Sequence, residues 1–377
     1  MIFGHYMFSG CSKVIYNEKD YGYIMKKQVS DLLEVSKKII KDCSFPNGAI
    51  VAANSTKPYF PKGTNNYRFV WPRDASYICI AAKILGLDIQ EKFFRWCMKA
   101  EGWDKTGLFY QNYLIDGSKV SHNFQPDQTG SVLIAIHDFY KDNKDGCRKF
   151  EKLIRNSADG LCRIWDKDHF NVPTQNLWED KLCFPDLKGN FTYSLAVCCK
   201  GLSCADELVP DKKWSKTSDE MRKVLLSNFG DNFYSSFGKI DDRKMDASLL
   251  GLVWPSGMLD ADDKRMKKTI KLIEKEIVKN SGIHRYEDDE YDGWMYMDNI
   301  SRKKGAGYWP LLNFWMTIYY LKLDKREKAL KYYNKVLNDL GDKKYIPEQV
   351  FDNDIQVSIS PLCWSHSMFV IASKRLG

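Results

Sequence analysis

From about residue 27 to the C-terminus, apolar residues recur at helical spacing, and the segments carrying this period are of two alternating kinds. One kind has a charged face: Val29 to Cys43, Ile89 to Lys99, Gly146 to Asn156, Trp214 to Ser227, Asp263 to Lys279 and Lys325 to Leu340. In Asp263 to Lys279, for example, Met266, Ile270, Ile273 and Ile277 fall on one side and lysines on the other, as in a helix with one face in water. The other kind is apolar or small nearly all round: Asp74 to Leu85, Thr129 to Tyr140, Phe191 to Leu202, Met245 to Val253, Trp309 to Leu321 and Leu362 to Ser373. A helix without a polar face belongs inside. Six of each in alternation predict an all-α (α/α)6 toroid, an inner ring of helices wrapped by an outer ring, in preference to a four-helix bundle or an open solenoid. No internal sequence repeat accompanies the alternation.

The connections carry a second regularity. Inner-to-outer links are mostly short (Gly86 to Asp88, Asp142 to Asp145, Lys322 to Asp324), whereas outer-to-inner links are long: 44 to 73, 100 to 128, 157 to 190, 228 to 244, 280 to 308 and 341 to 361. Because chain direction alternates, all six long links emerge at one end of the toroid, where binding and catalysis are to be sought. They also hold most of the aromatic and acidic punctuation, including Tyr67, Trp71, Trp103, Tyr110, Trp178, Tyr286, Trp294 and Tyr308 beside Asp74, Glu179, Asp180, Glu287 and Glu348. Aromatic faces on which a sugar ring stacks, set beside carboxylates that bond its hydroxyls, are what a carbohydrate site requires.

Composition removes competing chemistries. The chain of 377 residues is 44% hydrophobic and 14% aromatic, enough for a large core. No basic n-region followed by an apolar run opens it, and no stretch reaches the roughly 18 apolar residues of a membrane span, so a cytoplasmic protein is expected. Eleven cysteines, an odd number mostly inside apolar helical patterns (Cys79, Cys97, Cys198, Cys199, Cys363), read as reduced core residues. There is no C-x-x-C pair, no H-x-x-x-H, no dinucleotide or P-loop glycine motif, and so no cofactor or metal is expected. The net charge of +8 is spread along amphipathic helices (Lys264, Lys267, Lys268, Lys271, Lys275) and forms no compact tract of the kind that binds nucleic acid. The acidic run Glu287-Asp288-Asp289-Glu290 with Asp292 has the composition of a calcium loop, but reads more simply as a solvated loop with one ligand-facing residue.

Three segments stand out at the ends of long links. Asn66 to Asp74 (Asn-Tyr-Arg-Phe-Val-Trp-Pro-Arg-Asp) closes the first, Gln175 to Lys181 (Gln-Asn-Leu-Trp-Glu-Asp-Lys) lies in the third, and Tyr345 to Val350 (Tyr-Ile-Pro-Glu-Gln-Val) lies in the last. Read alone, the first is a helix start with Asp74 as a cap and the others are loop acids. Read together, they bring two carboxylates, Glu179 and Glu348, over the same ring centre.

Tyr67-x-x-x-Trp71-Pro72-Arg73-Asp74, Leu177-Trp178-Glu179 and Pro347-Glu348-Gln349 resemble the signature blocks of the glucoamylase-type glycoside hydrolase family 15. Gln125 to Leu133, Gly282 to Asp288, Trp309-Pro310 and Trp364-Ser365-His366 are similar to further family blocks in the same order. The match runs from about residue 40 to the end, so residues 1–22 are read as an N-terminal extension and 23–377 as the catalytic domain. The resemblance implies an (α/α)6 fold and an inverting, exo-acting α-glucoside hydrolase that releases β-glucose from chain ends. By the same carry-over Glu179 is the acid and Glu348 the base, with carboxyls expected about 6.5–9.5 Å apart. Glu179, among aromatics, is expected to hold its proton near neutrality, and Glu348 to have polar neighbours that keep it ionised. Tyr67 is implied beside the base, Arg73 and Asp74 at the hydroxyls of the terminal glucose, Trp71 and Trp309 as walls, and Arg285 as a further sugar contact. Trp178 flanks the acid.

The sequence departs from the family pattern in three places. Asp180 and Lys181 follow the acid where relatives have Glu and often Arg, on the side that binds the leaving sugar. No tryptophan precedes Gln125 in the place that shapes the acid's surroundings in fungal relatives; Phe124, Tyr113 and Trp103 are the aromatics available to substitute. Prokaryotic relatives usually carry an N-terminal β-sandwich domain, whereas only about 22 residues precede helical sequence here, so a homodimer or a separate partner chain is expected to cover the surface that domain would cover. The family also contains trehalases and isomaltose-type glucohydrolases, and a related domain occurs in the non-catalytic regulatory subunits of phosphorylase kinase. Retention of both glutamates with Tyr67 points to catalysis. A prenyltransferase-type barrel would need a zinc-binding Asp-Cys-His set, which does not stand out.

Overall fold

The computed structural model describes residues 18–240, 242–293, 305–353 and 356–377. Its helices are α1 (Glu18–Cys43), α2 (Pro72–Ile84), α3 (Gln90–Cys97), a single turn α4 (Trp103–Thr106), α5 (Pro126–Tyr140), α6 (Glu151–Ile164), α7 (Thr192–Leu208), α8 (Lys212–Ser227), α9 (Lys264–Glu276), α10 (Pro310–Lys322), α11 (Arg326–Leu340) and α12 (Cys363–Leu376). Around the inner ring α2 packs on α5, α5 on α7, α7 on a 3-10 helix at Ala247–Leu252, that helix on α10, α10 on α12, and α12 back on α2. The ring closes, and α1, α3, α6, α8, α9 and α11 wrap it, which is the (α/α)6 toroid. Strands among the described residues are two-residue pairs, and no helix there is long and apolar enough to cross a membrane.

Burial follows the sequence pattern. In α9 Met266, Ile270 and Ile273 are buried while Lys264, Lys267, Lys268 and Lys271 face water; in α10 every residue from Pro310 to Tyr320 is buried. Three inner helices, α2, α5 and α10, begin with proline after an extended residue: Trp71-Pro72, Gln125-Pro126 and Trp309-Pro310. Proline fixes its own φ for the first helical turn and forces its predecessor out of helical conformation, so each junction turns the long link sharply into the ring. All ten described cysteines are free thiols and nine are buried.

Several elements differ from expectation; α1 begins at Glu18 where Val29 was expected, inside the stretch 1–22 read as an extension. The fourth inner segment, Met245 to Val253, is helical only as six residues of 3-10 helix, capped by Asp246 through Ser248 N–H at 2.7 Å, with Pro255 soon after it. The outer helix expected at Gly146 to Asn156 runs from Glu151 to Ile164, preceded by a 3-10 segment at Lys144–Phe150. Asp159-Gly160 looks like a breaker in sequence, but a Cβ on Gly160 would lie 2.7 Å from the Thr106 carbonyl, and one on Gly107 would lie 1.9 Å from that of Asn156. These glycines let the end of α4 press onto α6.

The last long link is tied to the ring by His366. Its Nε2 accepts the Ile346 N–H at 2.9 Å and its Nδ1 lies 2.9 Å from Ser36 Oγ, which itself donates to Leu32 O at 2.7 Å. That chain of bonds fixes the tautomer with hydrogen on Nδ1. Burial pushes His366 down to about 3, because a second proton would oppose the Ile346 N–H.

Two consequences are measurable. Gly130 on α5 and Gly201 on α7 meet backbone to backbone: a Cβ on Gly130 would lie 2.6 Å from Val197 O, and one on Gly201 would lie 2.8 Å from Gly130 Cα. Gly130→Ala is expected to cost about 1–3 kcal/mol in spite of alanine's better helix propensity. Gly230→Ala, where nothing lies within 4 Å, should change stability by less than about 0.5 kcal/mol; equal melting curves for the two variants would refute the close approach. His366, neutral in the fold and protonated when unfolded, stabilises the fold above its ordinary 6.5, and that contribution is lost as pH falls from 6.5 toward about 3. Thermal melts of the parent and His366→Gln between pH 7 and 4 should show the variant losing less stability on acidification, by on the order of a few kcal/mol.

Candidate active site

A cavity of about 800 Å³ opens at the end of the toroid where the long links emerge. All ten residues singled out in the sequence line it: Tyr67, Trp71, Arg73, Asp74, Trp178, Glu179, Asp180, Arg285, Trp309 and Glu348. Beneath it the ring centre is filled. Tyr77 and Tyr193 join hydroxyls at 2.9 Å, Tyr77 stacks on Trp364 at 5.1 Å between ring centres, and Trp315 stacks on Tyr193 at 5.9 Å. The cavity is therefore a pocket with a floor.

Glu179 sits at the tip of a hairpin whose strands, Thr174–Gln175 and Leu182–Cys183, pair in antiparallel register. Asn176 folds the tip: its Oδ1 accepts the N–H groups of Asp180 (3.1 Å) and Lys181 (3.0 Å), and its Nδ2 donates to Asp180 Oδ1 at 2.6 Å. The turn places Glu179 at φ +67°, a left-handed conformation rare for a residue with a Cβ and one that costs about 1–3 kcal/mol. It aims the carboxyl into the cavity. There Oε1 accepts the Trp71 indole N–H at 2.7 Å and lies 3.7 Å from Arg73 Nη2, while Oε2 accepts from Gln111 Nε2 at 2.5 Å. Burial raises Glu179 above the ordinary carboxylate range, and Arg73, Trp71 and Gln111 pull it back.

Glu348 is 3% exposed, and its Oε2 is buried without a hydrogen-bond partner. Burial pushes it up to about 7, against the opposing pull of Arg285 and the Tyr67 hydroxyl. The expectation that polar neighbours keep Glu348 ionised is therefore not met, because burial outweighs them. Arg285, the strongest of the groups opposing the rise, is itself held by Asp289 through two bonds of 2.9 and 2.7 Å. Arg285 is boxed by the faces of Trp178, Tyr286, Tyr291 and Trp309, 4.7–5.5 Å from the guanidinium carbon.

On the opposite wall Arg73 is buried against Asp74 (3.1 Å), Gln125 (3.2 Å) and Asp127 (3.3 Å), and lies over the Trp364 ring. Burial lifts Asp74 to about 6 despite that cation. Trp178 donates its indole N–H to Asp246 at 2.9 Å and meets Trp309 edge to face, which fixes the plane of both indoles. Tyr67 pairs its hydroxyl with that of Tyr291 at 2.8 Å.

Sequence reasoning missed Gln111, Tyr291 and Asp289. Gln111 carries no motif; only its place in the second long link hinted at it. Neither Trp103, Tyr113 nor Phe124 lines the cavity: Trp103 donates to Ser157, the Tyr113 hydroxyl accepts the Tyr110 N–H, and Phe124 packs on the edge of Tyr110. Gln111 contacts Glu179 instead. In the acidic run, Asp289 is committed to Arg285, Asp288 to Lys244 at 2.9 Å and Glu287 to the Met245 N–H at 2.5 Å, so these carboxylates have partners inside the protein. Trp294 lies outside the described residues.

Comparison with known proteins agrees with this geometry. An uncharacterized glycosyl hydrolase of Methanocaldococcus jannaschii is 30% identical over 383 residues, covering 94% of this chain and 56% of that protein. Trehalase 1 of Sulfolobus acidocaldarius is 23% identical over 363 residues, covering 88% and 61%. The chain thus spans little more than half the length of these relatives. A solved glycosidase in complex with glucose superposes with a TM-score of 0.74 at 19% identity, covering 93% of this chain and 98% of that one, and so shares the fold. The family model for glycosyl hydrolases family 15 matches residues 34–374, and the chain belongs to that family.

Proposed function

We propose that the chain is an inverting, exo-acting α-glucoside hydrolase that releases β-glucose from the non-reducing end of α-glucans or small α-glucosides, with Glu179 as general acid and Glu348 as general base. The observation that carries this reading is a floored pocket walled by indoles into which two separate loops deliver two carboxyls, Glu348 buried and Glu179 half-buried, both with raised proton affinity. A floored pocket accepts the end of a chain, and Arg73 with Asp74 near its base suits the outer hydroxyls of one sugar ring. Trp71 and Trp309 supply the stacking faces. The leaving group then lies toward Gln111, Asp180 and Tyr286.

In the reaction, Glu179 gives its proton to the glycosidic oxygen as the C1–O bond breaks and the bonding pair departs with that oxygen. Positive charge grows at C1 beside the Tyr67 hydroxyl and the carboxylates. Water attacks C1 from the opposite face, and Glu348 takes its proton. Exchange with solvent then returns the proton to Glu179 and removes it from Glu348.

Among family members the choice lies between a glucoamylase-like activity and one on disaccharides, and the similarity to a trehalase makes trehalose an essential test substrate. With maltose, isomaltose, trehalose and maltooligosaccharides followed by NMR, the parent should release β-glucose as the first-formed anomer, and Glu179→Gln or Glu348→Gln should lose roughly 10²–10⁴ in kcat. First-formed α-glucose would eliminate inversion. Sugar binding without release from any substrate would move the assignment to a carbohydrate-binding regulator.

The raised Glu348 also sets a pH dependence. A base must be ionised, so kcat/KM should fall as pH drops through about 7 in the free enzyme. Tyr67→Phe removes a group that holds Glu348 down, so its acid limb should move to higher pH; an unmoved limb would show that the hydroxyl does not act on this carboxyl.

A further inference from the structure

The two oxygens of Glu179 have partners of different chemical capacity. Oε1 is held by the Trp71 indole N–H at 2.7 Å with the Arg73 guanidinium 3.7 Å away, and both of these groups can only donate. A hydrogen on Oε1 would weaken the acceptor that both donors need. Oε2 is held by Gln111, whose amide presents a donor on one side and an acceptor on the other. Half a turn of that amide exchanges the two and leaves the rest of the site undisturbed.

Gln111 is well fixed for this task. Its N–H donates to Asn123 O at 3.0 Å, Tyr110 is bridged to Phe124, and Val120 N–H donates to Asn112 O at 3.1 Å. The same loop is tied to the acid's hairpin by Gln175 N–H to Phe124 O at 2.8 Å. The two backbones are therefore locked together, and the side chain moves through its own torsions.

Resting on the assignment of Glu179 as general acid, we infer that this residue carries its proton on Oε2, and that Gln111 is a positioning residue that accepts this proton's hydrogen bond through its amide oxygen and turns to donate through its nitrogen once the proton has left. The proton passes from Glu179 Oε2 to the glycosidic oxygen as the C1–O bond breaks. Gln111 gains and loses no proton; it exchanges an O–H···O bond for an N–H···O bond. The orientation in the structure, with Nε2 facing Oε2, is the one that suits the carboxylate.

The test is a titration that does not depend on turnover. Side-chain carboxyl carbons of glutamate and side-chain amides of glutamine are followed by NMR against pH in the full chain, with Glu179 assigned through Glu179→Gln and Gln111 through Gln111→Met. The Gln111 amide signals should shift in step with Glu179. The Glu179 midpoint should fall by about half a pH unit or more in Gln111→Lys, which can only donate, and move less in Gln111→Met, which removes the donor and the acceptor together. In hydrolysis assays both variants should lose about tenfold or more in kcat with KM changed by less than about threefold. A Gln111 amide indifferent to the Glu179 titration, or a Glu179 midpoint unmoved in both variants, overturns the inference. A parent that hydrolyses no glucoside would instead defeat the assignment of function, while the titration would still decide where the proton sits.

Discussion

A guanidinium that is only 4% exposed has to be surrounded by acceptors, and the site is organised around that need at Arg73. An unpaired charge at such depth would cost several kcal/mol, so Asp74, Gln125 and Asp127 come to it from two inner helix starts and Glu179 comes from a hairpin tip. Asp127 in turn accepts the Ser194 hydroxyl at 2.9 Å, which carries the same network into α7. The first, second and third long links and three inner helices thus converge on one cation. The close glycine contact between α5 and α7 and the proline junctions at Trp71 and Gln125 place these acceptors at the height of the guanidinium.

The alternation of one-faced and faceless helices carried enough information for the ring, because each inner helix must hide its whole circumference and each outer helix only a stripe. It failed where another physical demand overrode periodicity. The fourth inner segment is too closely bounded, by the cap at Asp246 and by Pro255, to complete an α-helix, though it is as apolar as its neighbours. Gly160 reads as a turn residue, yet its lack of a side chain is what admits α4 onto α6. Glycine required for close approach and glycine required for a turn look the same in a sequence.

The candidate site was legible to the extent that its residues sit in motifs. Trp71, Arg73, Asp74, Trp178, Glu179 and Glu348 are marked by aromatic, acidic and proline neighbours, and all reach the cavity. Gln111 follows Tyr110 and Tyr291 lies between Glu290 and Asp292, yet neither falls in one of these blocks; what recruits them is a pairing across loops, through Glu179 in one case and Tyr67 in the other. Asp289 was visible only as one acid in a run of four. Its bidentate bond to Arg285 distinguishes it.

The two carboxyls show why burial alone does not assign acid and base. Both are raised by desolvation, but Glu179 has two N–H donors and a nearby guanidinium opposing the rise, whereas Glu348 has an oxygen with no donor. A bound sugar changes the balance. Glu348 Oε2 and the indole nitrogens of Trp309 and Trp364 are the cavity-lining atoms buried without partners, and hydroxyls can serve an acceptor and a donor alike. A hydroxyl or attacking water donating to Oε2 stabilises the carboxylate of Glu348, while a glycosidic oxygen beside Glu179 can only accept and so favours its acid form. Under the proposed roles, the ligand contacts that fill these unpaired atoms move the proton from Glu348 toward Glu179.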